Sequence, residues 1–422
     1  MKEIKPRSTI HAAVNMPGSK SITHRAVIAA ALASGWSRLE NFLVCQDTLY
    51  TIKALQKLGV QMDVDEDALI IQGTEGVFPK AHTTGEFYLG NSGTSLRLLL
   101  SVVALSRGEC VLTGDPRMQQ RPVGDLVDSL SMLGIDAYCL NNNGCPPVQV
   151  RGTGSIKGGK TRTRGEKSSQ FLSSLLLVAP CTLHGMEIEM DGPLVSSPYV
   201  ELTVQIMNRF GVKVDHADLS HFWVKPEQNY QGHSFEVEGD ASNASYFWAA
   251  AAVTGGTIEI KNIRGEFKQG DISFLEILES MGCRVKRTTA GVSVESRGSL
   301  KGLEVDMNEM PDLVPTLAVL ALFADGKTFI RNISHLRYKE SDRLHGLAGE
   351  LRRLGGKVEE MDDGLIITGE RKLHGADVET YHDHRLAMSF AVAGLRVPGI
   401  RITNEQCVNK SFPQFWHLWD RL

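Results

Sequence analysis

Two helical patterns of hydrophobic positions alternate along the chain. In the first, nearly every position is apolar or small: "SITHRAVIAAALASG", "TSLRLLLSVVALSRG", "SSQFLSSLLLVAPCTLHG", "SNASYFWAAAAVTGG", "DLVPTLAVLALFADG" and "DHRLAMSFAVAGL". These runs begin near Ser21, Thr94, Ser168, Ser242, Asp312 and Asp383, at spacings of 70 to 74 residues. A helix apolar on all sides is buried, and its Ala, Ser and Gly let neighbours pack closely. In the second pattern a more charged helix ends in Gly before a strand: "ALQKLGVQM" (Gly59), "SLSMLGIDA" (Gly134), "IMNRFGVKV" (Gly211), "ILESMGCRV" (Gly282) and "ELRRLGGKV" (Gly355). The glycines lie 71 to 77 residues apart. Gly suits the left-handed position after a helix, so each copy predicts a helix stop, and the charge predicts a solvent-facing helix. The closing "FWHLWDRL" reads as the same helix without its Gly.

Short β-rich runs such as "TIEIKNI" and "KTFIRNI" follow the apolar helices, and pairs such as "VQMDVDEDALIIQG" and "GKVEEMDDGLIITG" read as hairpins. The pattern predicts an α/β fold of six repeats of about 70 residues, grouped as two similar domains of three. A length of 422 residues also exceeds one ordinary core.

Composition narrows the function classes. Forty-five basic against 49 acidic residues give a net charge of −4, so no global basic field points to nucleic acid. Any anion site must be local. Seven scattered cysteines, Cys45, Cys110, Cys139, Cys145, Cys181, Cys283 and Cys407, suit free thiols in a reducing compartment. Neither an apolar leader in "MKEIKPRSTIHAAV" nor a membrane-length apolar run is present, and the chain reads as cytoplasmic.

The unusual residues collect at the starts of the six apolar helices, in "PGSKS", "GNSGTS", "EKSSQ", "EGDASNAS", "EMPD" and "HDHR". Ser, Thr, Asp and Asn suit helix caps there. Cations do not, because the dipole is positive at this end. Yet Lys20, Arg25, Arg97 and Arg385 sit within the first turn or so. An anion held among them would reconcile the two. Arg117 and Arg121 in "GDPRMQQRPVGDL", Lys339 and Arg343 with Glu340 in "HLRYKESDRLHGL", Ser196, Ser197 and Tyr199 in "LVSSPYVEL", and Lys410 in "NKSFPQF" join them. Lys339 and Arg343, four apart, predict one helix face. No metal is expected, since His382, Asp383 and His384 are too few ligands. "AVNMPGSKS" fails the P-loop on spacing, with Ser between Gly18 and Lys20, and no dinucleotide fingerprint opens a helix.

The chain resembles the 5-enolpyruvylshikimate-3-phosphate (EPSP) synthase family. The resemblance runs from "PGSKSITHRA" through "LGNSGTSLRLL", "RMQQRPVGDL", "SSQFLSSLL", "EGDASNASYF", "PDLVPTLAVLALFADG", "LRYKESDRL" and "DHRLAMSFAV" to "NKSFP", and covers nearly all 422 residues. It implies the enolpyruvyl transferase fold, an inside-out α/β barrel in two domains of three βαβαββ-like repeats. The expected domains are residues 1–18 plus 240–422 and residues 19–239, with the active site in the cleft between them. The implied activity is transfer of the enolpyruvyl group of phosphoenolpyruvate to the 5-hydroxyl of shikimate 3-phosphate, in the shikimate pathway to chorismate and aromatic amino acids. No cofactor, nucleic acid or membrane partner is implied, and a monomer is expected.

By the same resemblance, phosphoenolpyruvate is held by Lys20, Asn91, Gly93, Arg121, Gln170, Arg343, Arg385 and Lys410. Shikimate 3-phosphate is held by Lys20, Ser21, Arg25, Ser168, Ser169, Gln170, Ser196, Tyr199, Asp312 and Lys339. Both substrates carry a phosphate and a carboxylate, which fits a surplus of Arg and Lys. Carbon–oxygen cleavage by addition and elimination needs a carboxylate base and a second acid/base group near a cation. Asp312 is the expected base for the 5-hydroxyl, although after Pro311 it also suits a helix cap. Glu340 is expected to exchange the proton at the methylene carbon, with Lys20 assisting. The family's inhibitor glyphosate occupies the phosphoenolpyruvate site, and Gly93 leaves room for it. His335 and Leu98 depart from common family patterns, and His335 is given no binding role.

Two other readings are weaker. The sister carboxyvinyltransferase acting on UDP-N-acetylglucosamine normally carries a loop Cys, and "PRMQQRP" has none. A non-catalytic anion- or RNA-end-binding protein would not need Asp312, Glu340 and Lys20 together.

Overall fold

The computed structural model describes residues 1–80 and 82–422. Its chain divides into two compact units, Gly18–Val237, and Met1–Pro17 together with Glu238–Leu422.

Gly18–Val237 contains three four-stranded sheets of one design. In the first, Ser234–Glu236 runs parallel to Trp36–Glu40, which pairs antiparallel with Ala68–Gln72, itself antiparallel to Gln61–Asp65. The second repeats this with Gly85–Tyr88, Arg107–Thr113, Val148–Thr153 and Asp136–Cys139. The third uses Gly159–Thr163, Met186–Met190, His221–Val224 and Asp215–Ala217.

The other unit shows the design twice in full. His11–Val14, Thr257–Ile260, Gly291–Glu295 and Arg284–Thr288 form one sheet. Glu304–Asp306, Lys327–Arg331, Leu365–Thr368 and Lys357–Glu360 form the next. In the last, Asp377–Val378 runs parallel to Arg401–Ile402, whose other edge is taken by Lys2–Glu3. A strand from the start of the chain thus fills the place that a hairpin fills in the other five.

The six apolar runs are helices: α1 (Lys20–Leu32), α2 (Gly93–Val103), α3 (Gln170–Val178), α4 (Ala241–Thr254), α5 (Val314–Ala321) and α6 (His384–Gly394). In α1 to α4 every position is buried except one polar residue at the start: Ser21, Thr94, Gln170 and Ser242. α5 and α6 are buried throughout. Within their own unit α4, α5 and α6 pack on one another, as do α2 and α3 in theirs. Small residues line these contacts. Ser245, Thr316 and Ser389, one per helix, meet through their hydroxyls at 3.4 and 3.3 Å, and Ser101 meets Ser174 at 2.7 Å.

The charged helices bury only one stripe. Each of the five predicted stops carries its glycine at positive φ, from 77° at Gly134 to 105° at Gly282. The residue after each glycine donates its N–H to a carbonyl five positions back, as from Val60 to Leu55 and from Ile135 to Leu130. Those bonds satisfy carbonyls that the helix end would otherwise leave open.

Candidate active site

The chemistry-bearing side chains gather at or beside the first turns of the apolar helices. In the unit Met1–Pro17 with Glu238–Leu422, the centre is Arg343, which is fully buried. Its Nε donates to Asp383 Oδ2 at 2.9 Å, and one terminal nitrogen reaches Asp383 Oδ1 at 3.2 Å and Glu340 Oε2 at 2.8 Å. The other terminal nitrogen reaches Asp312 Oδ1 at 3.1 Å. Asp312 Oδ2 also accepts from Arg385 at 2.6 Å. Asp383 caps α6 by accepting the Arg385 backbone N–H at 3.0 Å, and Ser341 donates to it at 3.1 Å.

Such a lattice of buried charges persists because each charge has an opposite partner. Burial works against the charge of Arg343, but Asp383, Glu340 and Asp312 more than reverse this and raise its pKa. Burial would likewise raise Asp312, yet the Arg385, Lys339 and Arg343 cations hold it well below the usual carboxylate range. Asp271 lies buried in the same unit, where burial and the Asp312 charge push it up to about 6. It accepts a short hydrogen bond from Ser242 at the start of α4. His335 is buried, and its Nε2 has no hydrogen-bond partner among the described residues. Burial, with Lys339 nearby, lowers it to about 3, so it is neutral at ordinary pH.

Two expectations change here. Lys339 and Arg343 do not share a helix: a 3-10 turn covers Ser334–Tyr338, and the helix begins only at Arg343. The cause is Asp342, whose side chain accepts the His345 N–H and caps the helix just before Arg343. Asp312 likewise makes no cap. Its turn, Pro311–Leu313, enters α5 without a side-chain cap, and both carboxylate oxygens go to arginines.

In Gly18–Val237 the predicted residues form smaller groups. Lys20, the first residue of α1, pairs with Asp47 at 3.2 Å. Arg25, one turn later, is buried and held by hydroxyls and carbonyls. Its Nε donates to Thr203 Oγ1 at 2.7 Å, and its terminal nitrogens reach Ser21 O at 3.0 Å, Tyr199 O at 3.1 Å and Ser173 Oγ at 3.4 Å. With no carboxylate among these partners, burial lowers Arg25 to about 10. Arg25 therefore ties α1 to α3 and to helix Pro198–Arg209. At α2, Arg121 donates to Asn91 O and Oδ1, both at 3.0 Å. A Cβ on Gly93 would lie 2.5 Å from the Arg121 guanidinium, so only glycine leaves that arginine in place. Arg97 donates to Gln170 Oε1 at 3.0 Å, and Gln170 donates to Thr94 at 3.0 Å. Ser168 accepts the Gln170 N–H at 3.2 Å, and buried Ser169 starts α3. Ser196 has a positive φ of 55° just before helix Pro198–Arg209. Lys410 is buried at the end of a 3-10 turn in the other unit.

Sequence reasoning missed the partners that set these cations: Asp47 for Lys20, Asp383 (itself held by Ser341) for Arg343, and Tyr246, whose OH accepts from Arg385 at 3.4 Å. A periodic signal did exist. Asp312 and Arg385 are 73 residues apart, as are Arg97 and Gln170, so first-turn residues of adjacent repeats bond sideways. Among the described residues no group of three His, Cys, Asp or Glu could hold a metal ion.

Cations paired with carboxylates beside the helix starts of repeated α/β units suit the binding of anionic groups. The profile of EPSP synthase (3-phosphoshikimate 1-carboxyvinyltransferase) matches residues 4–419, and the chain belongs to that family. A 3-phosphoshikimate 1-carboxyvinyltransferase of Sulfurovum sp. (strain NBC37-1) is 44% identical over 99% of this chain and 98% of its own. The chloroplastic enzyme of Arabidopsis thaliana is 41% identical over 99% of this chain and 84% of its own. The solved EPSP synthase of Acinetobacter baumannii superposes with a TM-score of 0.80 at 29% identity, covering 99% and 97%.

Proposed function

We propose that this chain transfers the enolpyruvyl group of phosphoenolpyruvate to the 5-hydroxyl of shikimate 3-phosphate and releases phosphate. The observation that carries the mechanism is Asp312, a carboxylate held by Arg343 and Arg385 with Glu340 on the same arginine. In this reading Lys20, Asn91, Gly93, Arg121, Gln170, Arg343, Arg385 and Lys410 receive phosphoenolpyruvate. Lys20, Ser21, Arg25, Ser168, Ser169, Gln170, Ser196, Tyr199, Asp312 and Lys339 receive shikimate 3-phosphate.

The 5-hydroxyl oxygen attacks C2 of phosphoenolpyruvate while its proton passes to Asp312 and a proton is added at the methylene carbon. In the second step a proton leaves the new methyl group and the C2–O bond to phosphate breaks. Glu340, assisted by Lys20, handles the proton at carbon. Asp312 is a weak base while two arginines face it. Anionic groups of the substrates on Arg385 and Arg343 offset that field and restore its basicity. Substrate binding is thus what readies the base. The seven cysteines, none of them in a disulfide, support a reducing, cytoplasmic setting.

The test is phosphate release from phosphoenolpyruvate with either shikimate 3-phosphate or UDP-N-acetylglucosamine as acceptor. Release with the first alone is expected. Release with the second alone overturns the assignment.

A further inference from the structure

We propose that Tyr246 is a positioning residue for this transfer, acting through Arg385; the inference rests on the assignment of Arg385 to phosphoenolpyruvate. Tyr246 lies in the first half of α4 and is fully buried. Its ring packs edge-on against Phe415, with centroids 5.9 Å apart and planes at 79°, which fixes the direction of the hydroxyl. That hydroxyl accepts from one terminal nitrogen of Arg385 at 3.4 Å, while the other terminal nitrogen holds Asp312 at 2.6 Å. Two partners at different nitrogens set the plane of a guanidinium, which a single contact cannot do.

The two partners behave differently during the reaction. When Asp312 takes the hydroxyl proton it loses its charge, and its bond to Arg385 falls from a charge-assisted contact to an ordinary one. The phenol does not change charge. Burial pushes Tyr246 up to about 12, beyond any pH at which the enzyme would work. Tyr246 is therefore a partner of constant charge that keeps Arg385 aimed while Asp312 cycles. The contact also gives α4 a place in the site. At the start of the same helix Ser242 bonds to Asp271.

Initial rates of Tyr246→Phe, Arg385→Lys and the double variant, with each substrate varied in turn, test this. In Tyr246→Phe the KM for phosphoenolpyruvate should rise about fivefold, the loss expected for one hydrogen bond, with the KM for shikimate 3-phosphate within about twofold. In the Arg385→Lys background the same change should add nothing, because the group it positions is already altered. An unchanged KM for phosphoenolpyruvate in Tyr246→Phe, beside a raised one in Arg385→Lys, overturns the role of Tyr246 and leaves the Arg385 assignment standing. Additive effects in the double variant also overturn it. Equal rises in both KM values with a lower melting temperature would mark Tyr246 as merely structural. An unchanged KM in Arg385→Lys removes the assignment itself.

Discussion

Asp312 is held as a carboxylate by the charges of Arg385, Lys339 and Arg343, and its chemistry depends on losing some of that attraction. Asp312→Asn keeps the shape and removes the proton acceptor. Turnover should fall by about 10²- to 10⁴-fold, the usual span for a general base, while calorimetry still detects shikimate 3-phosphate binding. Near-normal turnover would remove the base assignment. His335 gives a pH signature in stability instead. Burial and Lys339 lower it from 6.5 to about 3, so between those values the unfolded chain binds a proton that the folded one does not. Stability therefore rises with pH across that window and levels off above it. His335→Gln should flatten the rise, shrinking the gain between pH 4.5 and 7 by roughly 2 kcal/mol in urea unfolding. An unchanged gain would mean that the imidazole ionises inside the fold.

At the level of elements, the five glycine stops test how local the signals are. Gly134 has φ of 77°, and a Cβ there would meet nothing within 4 Å. Gly134→Ala should therefore cost about 1 kcal/mol from backbone strain alone, read as a lower melting temperature with normal turnover. A loss several times larger would point to packing instead. These stops, the six buried helices and the hairpins were legible because each rests on neighbours in sequence. The start of the helix at Arg343 was not, since the spacing from Lys339 suits a helix and only the Asp342 cap decides against it. The cations were legible as a group for the opposite reason: Lys20, Arg97 and Arg385 break the rule for helix starts. Their partners were hidden. Asp47, Thr203, Asp383 and Tyr246 reach their arginine or lysine across 27 to 178 residues, and no local pattern encodes such a meeting.

For the whole molecule, the sheets determine which pieces can stand alone. Residues 18–237 contain every strand of their three sheets. Expressed alone, this segment should give a cooperative melt. Residues 238–422 lack His11–Val14 and Lys2–Glu3, an edge strand of two of their sheets. That fragment should melt only after residues 1–17 are supplied in the same chain, and a cooperative melt without them would refute the dependence. The pairing of Lys2 with Ile402 also bears on synthesis. A growing chain can finish the segment 18–237 early, domain by domain. Lys2–Glu3, however, must stay unpaired until Arg401 and Ile402 have been made. Its partner strand is made long after it, and in that interval Lys2–Glu3 is a bare edge that the cell has to keep from pairing elsewhere.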